Sequence, residues 1–191
     1  MNKFAMTAAT AALMLSLSAG ALAASGLGSV TTMSGAGAEA DKAGSVTINT
    51  TMCALELDDA GKITAVSFDI AQNKVGFDAT GALTGELTGE HQTKKELGDG
   101  YGMKAASGIG KEWFEQAEAL EDWCVGKTVE EVVTMPTYDK GDGRHTQVPD
   151  DVDLKTGCTI DVGSFLDALQ AAADNAKYAF FPIVIHAGLS S

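Results

Sequence analysis

The chain has 191 residues, of which 26 are acidic and 13 basic, for a net charge of −13, and 45% are hydrophobic. That length supports one domain with a substantial core and is too short to suggest two. So acidic a surface repels nucleic acid and anionic lipid, which argues against both as partners and favours solubility outside the cell.

The chain opens MNKFAMTAATAALMLSLSAGALAASG. Lys3 supplies a positive start, Phe4 to Leu17 an apolar stretch, and Ala21-Leu22-Ala23 a small-x-small cleavage site. This is the design of a secretory signal peptide over residues 1–23, too short and alanine-rich to stay as an anchor. The expected address is therefore secreted or extracytoplasmic, with a single domain over residues 24–191.

Ser25 to Gly44 is rich in Gly, Ala and Ser, and its composition predicts a flexible lead-in over 24–44. A hairpin follows. Val46, Ile48, Thr50 and Met52 share one face of an extended run, Cys53, Leu55 and Leu57 the other, and Asp58-Asp59-Ala60-Gly61 forms the turn. The return strand alternates through Thr64, Val66, Phe68 and Ile70. A short strand is expected at Val75–Phe77, then a loop or twisted edge carrying Thr-Gly at 80–81, 84–85 and 88–89.

From Lys111 the pattern turns helical. Trp113, Ala117, Leu120 and Cys124 make one apolar stripe, while Glu112, Glu115, Glu118, Glu121 and Asp122 are expected to face water. Gln116 falls on the apolar side and needs a partner there. Gly126 suits the position after the helix, and Thr128–Glu131 has the form of a capping box for a short helix ending before Pro136. Tyr138 to Asp153 reads as loop, Cys158 to Val162 as a core strand, and Ser164 to Ala176 as a helix. Residues 177–191 form an apolar tail, broken by Pro182 and unable to span a bilayer, whose expected roles are to pack on the domain, to pair with another chain as a protein partner, or to act as a sticky end. Strands first and helices after predict an α+β fold, an antiparallel sheet with two or three helices packed on one side.

Three cysteines in an exported chain allow one bridge and leave one thiol over. Cys124–Cys158 is the pairing favoured here, against the alternative of three buried reduced thiols. His91, His145 and His186 have no metal-ligand spacing, and no metal site or catalytic residue is expected. Nucleophile-elbow, Walker and dinucleotide motifs are lacking as well.

The chemistry that remains is at the approach to the tryptophan-bearing helix. Lys94, Lys95, Lys104 and Lys111 concentrate positive charge, and Ser107-Gly108-Ile109-Gly110 leads into the helix N-terminus. Free backbone N–H groups and the helix dipole there suit a phosphate or carboxylate. The competing reading caps the helix with Ser107 and pairs the lysines with carboxylates. Tyr101 and the two tryptophans could stack on a planar ligand, though a tryptophan on an apolar stripe usually belongs to the core.

The run GSVTINTTMCALELDDAGKITAVSFDI resembles the opening hairpin of FMN-binding domains of exported bacterial proteins. The longer pattern, with TKKELG, YGMK, IGKEW and GKT, is similar to uncharacterised exported proteins, some grouped with that family. The resemblance implies FMN, or a similar anionic planar ligand, held for extracytoplasmic electron transfer by Lys94, Lys95, Tyr101, Lys104, Ser107, Gly108, Gly110 and Lys111. Covalent members attach flavin to a Thr or Ser after a Thr-Gly-Ala-like run. Here Leu83 stands at that place and Thr84 one residue late, so any flavin is expected to be non-covalent. The alternative is a secreted structural or protein-interaction module without a cofactor.

Overall fold

The computed structural model describes residues 23–85 and 87–178. The expected leader, apart from Ala23, and the apolar tail beyond Tyr178 lie outside them. Three long strands, β1 (Ala24–Ala36), β2 (Gly44–Leu57) and β3 (Ile63–Phe77), form an antiparallel meander. Then come α1 (Lys94–Leu97), a 3-10 turn (Gly98–Tyr101), α2 (Trp113–Cys124), α3 (Val129–Val133) and a two-stranded ribbon, β4 (Thr137–Tyr138) with β5 (Val148–Pro149). Helix α4 (Gly163–Asp174) leads into β6 (Lys177–Tyr178), which joins the free edge of β1 at Ala24 and Ser25. The main sheet has the order β3-β2-β1-β6, and the fold is α+β.

Of the stretch expected as a flexible lead-in, Ala24–Ala36 is instead strand β1, paired with β2 from Ala24↔Leu57 to Ala36↔Ser45, and only the connection to Gly44 is loop. Its small residues have a packing reason. A Cβ on Gly26 would run into the Ala172 carbonyl of α4, and one on Gly28 into the backbone of Ala168 and Ala172. Glycine here lets a helix lie directly on a strand. The short strand expected at Val75–Phe77 is the end of the continuous β3. The loop reading of the Thr-Gly segment holds, with Gly81 and Gly89 at φ 85 and 93.

One face of the sheet, with Thr51, Cys53, Leu55, Phe68 and Ile70, is buried beneath α2 and α4. Phe68 and Phe165 stack at 5.2 Å, and Trp113 lies 5.8 Å from Phe165. On the other face Leu27 and Met33 are each 74% exposed, and α1 reaches only its β3 side, where Lys95 bonds Ser67 and Asp69. Beyond Val30, β1 is exposed along both faces to Ala36, and Thr31 and Thr50 join hydroxyls at 3.0 Å across the pair.

Helix α2 follows its expected stripe: Trp113, Ala117, Leu120 and Cys124 are buried, and Gly126 takes φ 84 just past its end. Thr128 and Glu131 form the expected capping box of α3. Two acidic residues expected in water are not there. Glu112 is buried at the N-cap, and Glu121 accepts the Phe68 N–H at 2.6 Å and pairs with Lys95 at 2.5 Å. Cys158–Val162 is irregular chain, not a strand, because its polar backbone is claimed by side chains: Gln116 accepts from Thr159 N–H at 2.9 Å.

The bridge expected between Cys124 and Cys158 is not formed; Cys53, Cys124 and Cys158 are free and buried in one apolar cluster. Burial pushes these thiols up to about 12, 12 and 11 respectively. At such values they behave as small apolar side chains, inert as nucleophiles.

Candidate functional site

The approach to α2 folds into a compact turn, and its donors are turned inward. Glu112 accepts from the Met103 N–H at 2.8 Å and the Lys104 N–H at 2.9 Å. Its own N–H donates to Glu115 at 2.7 Å. The bond from Lys104 N–H is the main influence holding the Glu112 carboxyl below the ordinary range, opposed by desolvation and helped by Met103. An anion does sit at the front of α2, and it is the chain's own. The Glu112 carboxylate is bonded to donors of the preceding loop, and its negative charge lies where the helix dipole would otherwise favour a phosphate.

Several of the other expected ligands have partners within the chain. Ser107 Oγ accepts from Lys111 N–H at 3.4 Å and from Gln116 Nε2 at 3.1 Å. Gly110 closes a turn back to the Ser107 carbonyl at 3.0 Å with φ 65, while Gly108 is exposed. Lys94 lies over Tyr101 and Trp113, with Nζ 5.0 and 5.3 Å from the ring centres. That cation–π contact covers the outer side of a buried tryptophan. Lys104 and Lys111 have no ion-pair partner within 4.0 Å among the described residues. The fold therefore brings Lys94, Tyr101 and Trp113 together, and Ser107, Lys111 and Gln116.

Gln116 is completely buried and fully bonded. Its Nε2 donates to Ser107 Oγ and to the Lys111 carbonyl at 3.2 Å, and its Oε1 accepts from the N–H and hydroxyl of Thr159 at 2.9 and 3.2 Å. The polar residue on the apolar stripe is a structural rivet between the turn, α2 and the chain before α4.

The larger of two described depressions lies elsewhere. It is a groove of about 580 Å³ beside β1, lined by Leu27, Gly28, Ser29, Met52, Cys53, Ala54, Ser67, Asp69, Ala171 and Asn175. Its lining mixes apolar and polar side chains, and it lies open to solvent along Leu27. Asp69 Oδ1 is held by the Ile70 and Lys95 N–H groups at 2.7 and 3.1 Å, and Asn175 Nδ2 donates to the Leu27 carbonyl at 3.4 Å. Of the expected site residues, Lys95 reaches this rim: its Nζ donates to Ser67 Oγ at 3.2 Å, while also pairing with Glu121. Reading the sequence missed the groove because its lining comes from three strands and a helix at unrelated positions. The second depression, about 260 Å³, is edged by the Lys155–Asp150 ion pair.

Among the described residues no cluster of His, Cys, Asp or Glu could hold a metal ion, and no helix is long and apolar enough to cross a membrane. No family model and no solved structure matches the chain. A segment is similar to a protein named chlorophenol reductase from Desulfitobacterium hafniense, 38% identical over 96 residues. The match covers 44% of this chain and 29% of that protein, so the chain spans less than a third of the relative's length.

Proposed function

We propose that the chain is an exported, non-catalytic binding module holding a planar redox ligand such as FMN, non-covalently, for extracytoplasmic electron transfer. The observation that carries this is the groove beside β1, with Leu27, Met52 and Ala54 as apolar lining and Ser29, Ser67, Asp69 and Asn175 as polar contacts. A planar ring would lie on the apolar lining with those polar groups along its edge, and at the front of α2 the Glu112 carboxylate, bonded to the Met103 and Lys104 N–H groups, would oppose a phosphate. The phosphate would instead meet Lys95 at the groove's rim, drawing it from Glu121. FMN would supply one- and two-electron chemistry, and the protein would bind and orient it. The relative's name, a reductase, agrees with a redox setting, though the similarity reaches under a third of that protein.

The protein purified from an exporting host should carry an absorption band near ~450 nm, or acquire one on titration with FMN. Ala54→Trp, which fills the exposed groove wall, should abolish binding, while Lys104→Ala should leave it unchanged. A colourless protein that does not quench FMN fluorescence would sink the reading.

The second reading is a protein-interaction module without cofactor, in which the apolar tail beyond Tyr178 meets a protein partner. What favours it is the uncovered sheet face with Leu27 and Met33 exposed. It predicts wild-type stability and no response to flavin.

A further inference from the structure

The two long edges of the sheet are treated differently. Along β3 the outward groups are claimed: Glu121 takes the Phe68 N–H, Asp69 the Ile70 N–H, and the Thr84 N–H takes the Gly76 carbonyl at 2.9 Å. Phe77 bridges to Leu83, and Lys74 adds a charge. Along β1, β6 covers only Ala24 and Ser25, and Asn175 reaches the Leu27 carbonyl. From Gly28 to Ala36 no other described strand pairs with that edge. Folded proteins blunt such edges with charge, proline or a bulge, or they use them. Ala24–Ala36 contains no charged residue and no proline, and its pairing with β2 is unbroken by a bulge.

We propose that this edge pairs antiparallel with the same edge of a second copy of the chain, joining two sheets into one. The inference needs no cofactor and rests on neither functional reading. The occupant follows from the strand's own character: an edge without a charged residue offers a charged strand nothing to pair with, and β1 of a second copy is such a neutral strand, so that the like charge of the two chains, −13 each, is not opposed along the seam. The free stretch is bounded by the Asn175 contact at Leu27 and by the end of the strand at Ala36. Laid antiparallel on itself, it puts Thr32 on the two-fold axis, Thr31 opposite Met33 of the second copy, and Val30 opposite Ser34. The α4 helices do not meet. Each lies over its own Gly28, whose counterpart is Ala36, on the uncovered part of the other strand. Main-chain hydrogen bonds supply the attraction, and Met33, now 74% exposed, gains cover.

Sedimentation velocity over a concentration series tests this. The wild type should sediment as a dimer. Thr31→Lys with Met33→Lys places lysine opposite lysine twice and should weaken the dimer about tenfold or more. Thr31→Lys with Met33→Glu places lysine opposite glutamate twice and should restore it. Both sites are exposed, so circular dichroism should match the wild type throughout. Phe180→Asp with Phe181→Asp should leave the dimer intact. A monomeric wild type, a dimer indifferent to the paired lysines, or a failure of the lysine–glutamate variant to reassociate would each overturn the proposal. So would loss of the dimer in the Phe180/Phe181 variant, which would make the tail the contact.

Discussion

At the level of single residues, the largest departure from expectation is the direction in which polar groups point. Glu112 directly follows the Ser-Gly-Ile-Gly-Lys turn, which makes it the N-cap, and its carboxylate folds back onto the Met103 and Lys104 N–H groups, setting a negative charge at the front of the helix. The signal is local in the sequence, a glutamate at the first position after the turn, but the spacing of acids along α2 places it equally well on the water-facing side. Gln116, by contrast, is legible as a buried amide in need of partners, because amphipathic spacing alone places it inward. The cysteines turn on burial. With all three thiols raised well above neutral pH, the native protein should give no reaction with a thiol-specific chromogenic reagent at pH 8. In guanidinium it should give all three. One reactive thiol in denaturant would instead mean that a bridge forms.

At the level of elements, the hairpin, the stripe of α2, the capping box of α3 and α4 were legible because each is written in local periodicity. Strand β1 was not, because what makes it a strand is a neighbour far along the chain. Its glycines look like loop composition until α4 is placed on them, with Ala168 and Ala172 at the contact. The small residues on both sides are one feature: they let the helix approach the sheet closely, and α4 in turn delivers β6 to the β1 edge. Gly28→Ala should therefore destabilise the protein by about 3 kcal/mol, the upper range for overpacking a tight contact. Gly37→Ala, with open space around it, should change stability by less than about 0.5 kcal/mol. Urea unfolding of the two variants side by side distinguishes steric contact from a general dislike of losing glycine. Equal effects would remove the packing argument.

For the whole molecule, acid brings two influences into play that change sign at different points. At neutral pH the excess of carboxylates repels itself, and protonation towards the isoelectric point near 4.4 relieves that repulsion. Several carboxylates are nevertheless bonded best when ionised. Glu131 is lowered from its ordinary 4.5 to about 2, chiefly by the Thr128 N–H and the Lys62 ammonium. Glu112, Asp78 and Asp142 are lowered too, by the Lys104 N–H, the Thr80 hydroxyl and the His145 ring respectively. Each such group has a folded pKa below its unfolded one, so its stabilisation is fully present above the ordinary carboxylate value. It is then lost as pH falls towards the folded value. Below the isoelectric point the net charge turns positive and repulsion returns, now in the same direction as the loss of bonded carboxylates. Stability should accordingly hold or rise slightly from pH 7 to about 5 and then fall steeply between about 4 and 2. Urea midpoints taken at intervals across that range provide the measurement. Glu112→Gln, which keeps an acceptor but cannot titrate, should start lower at pH 7 and lose less on acidification. A wild-type midpoint that kept climbing down to pH 3 would show that relief of surface repulsion, and not the bonded carboxylates, governs the acid limb.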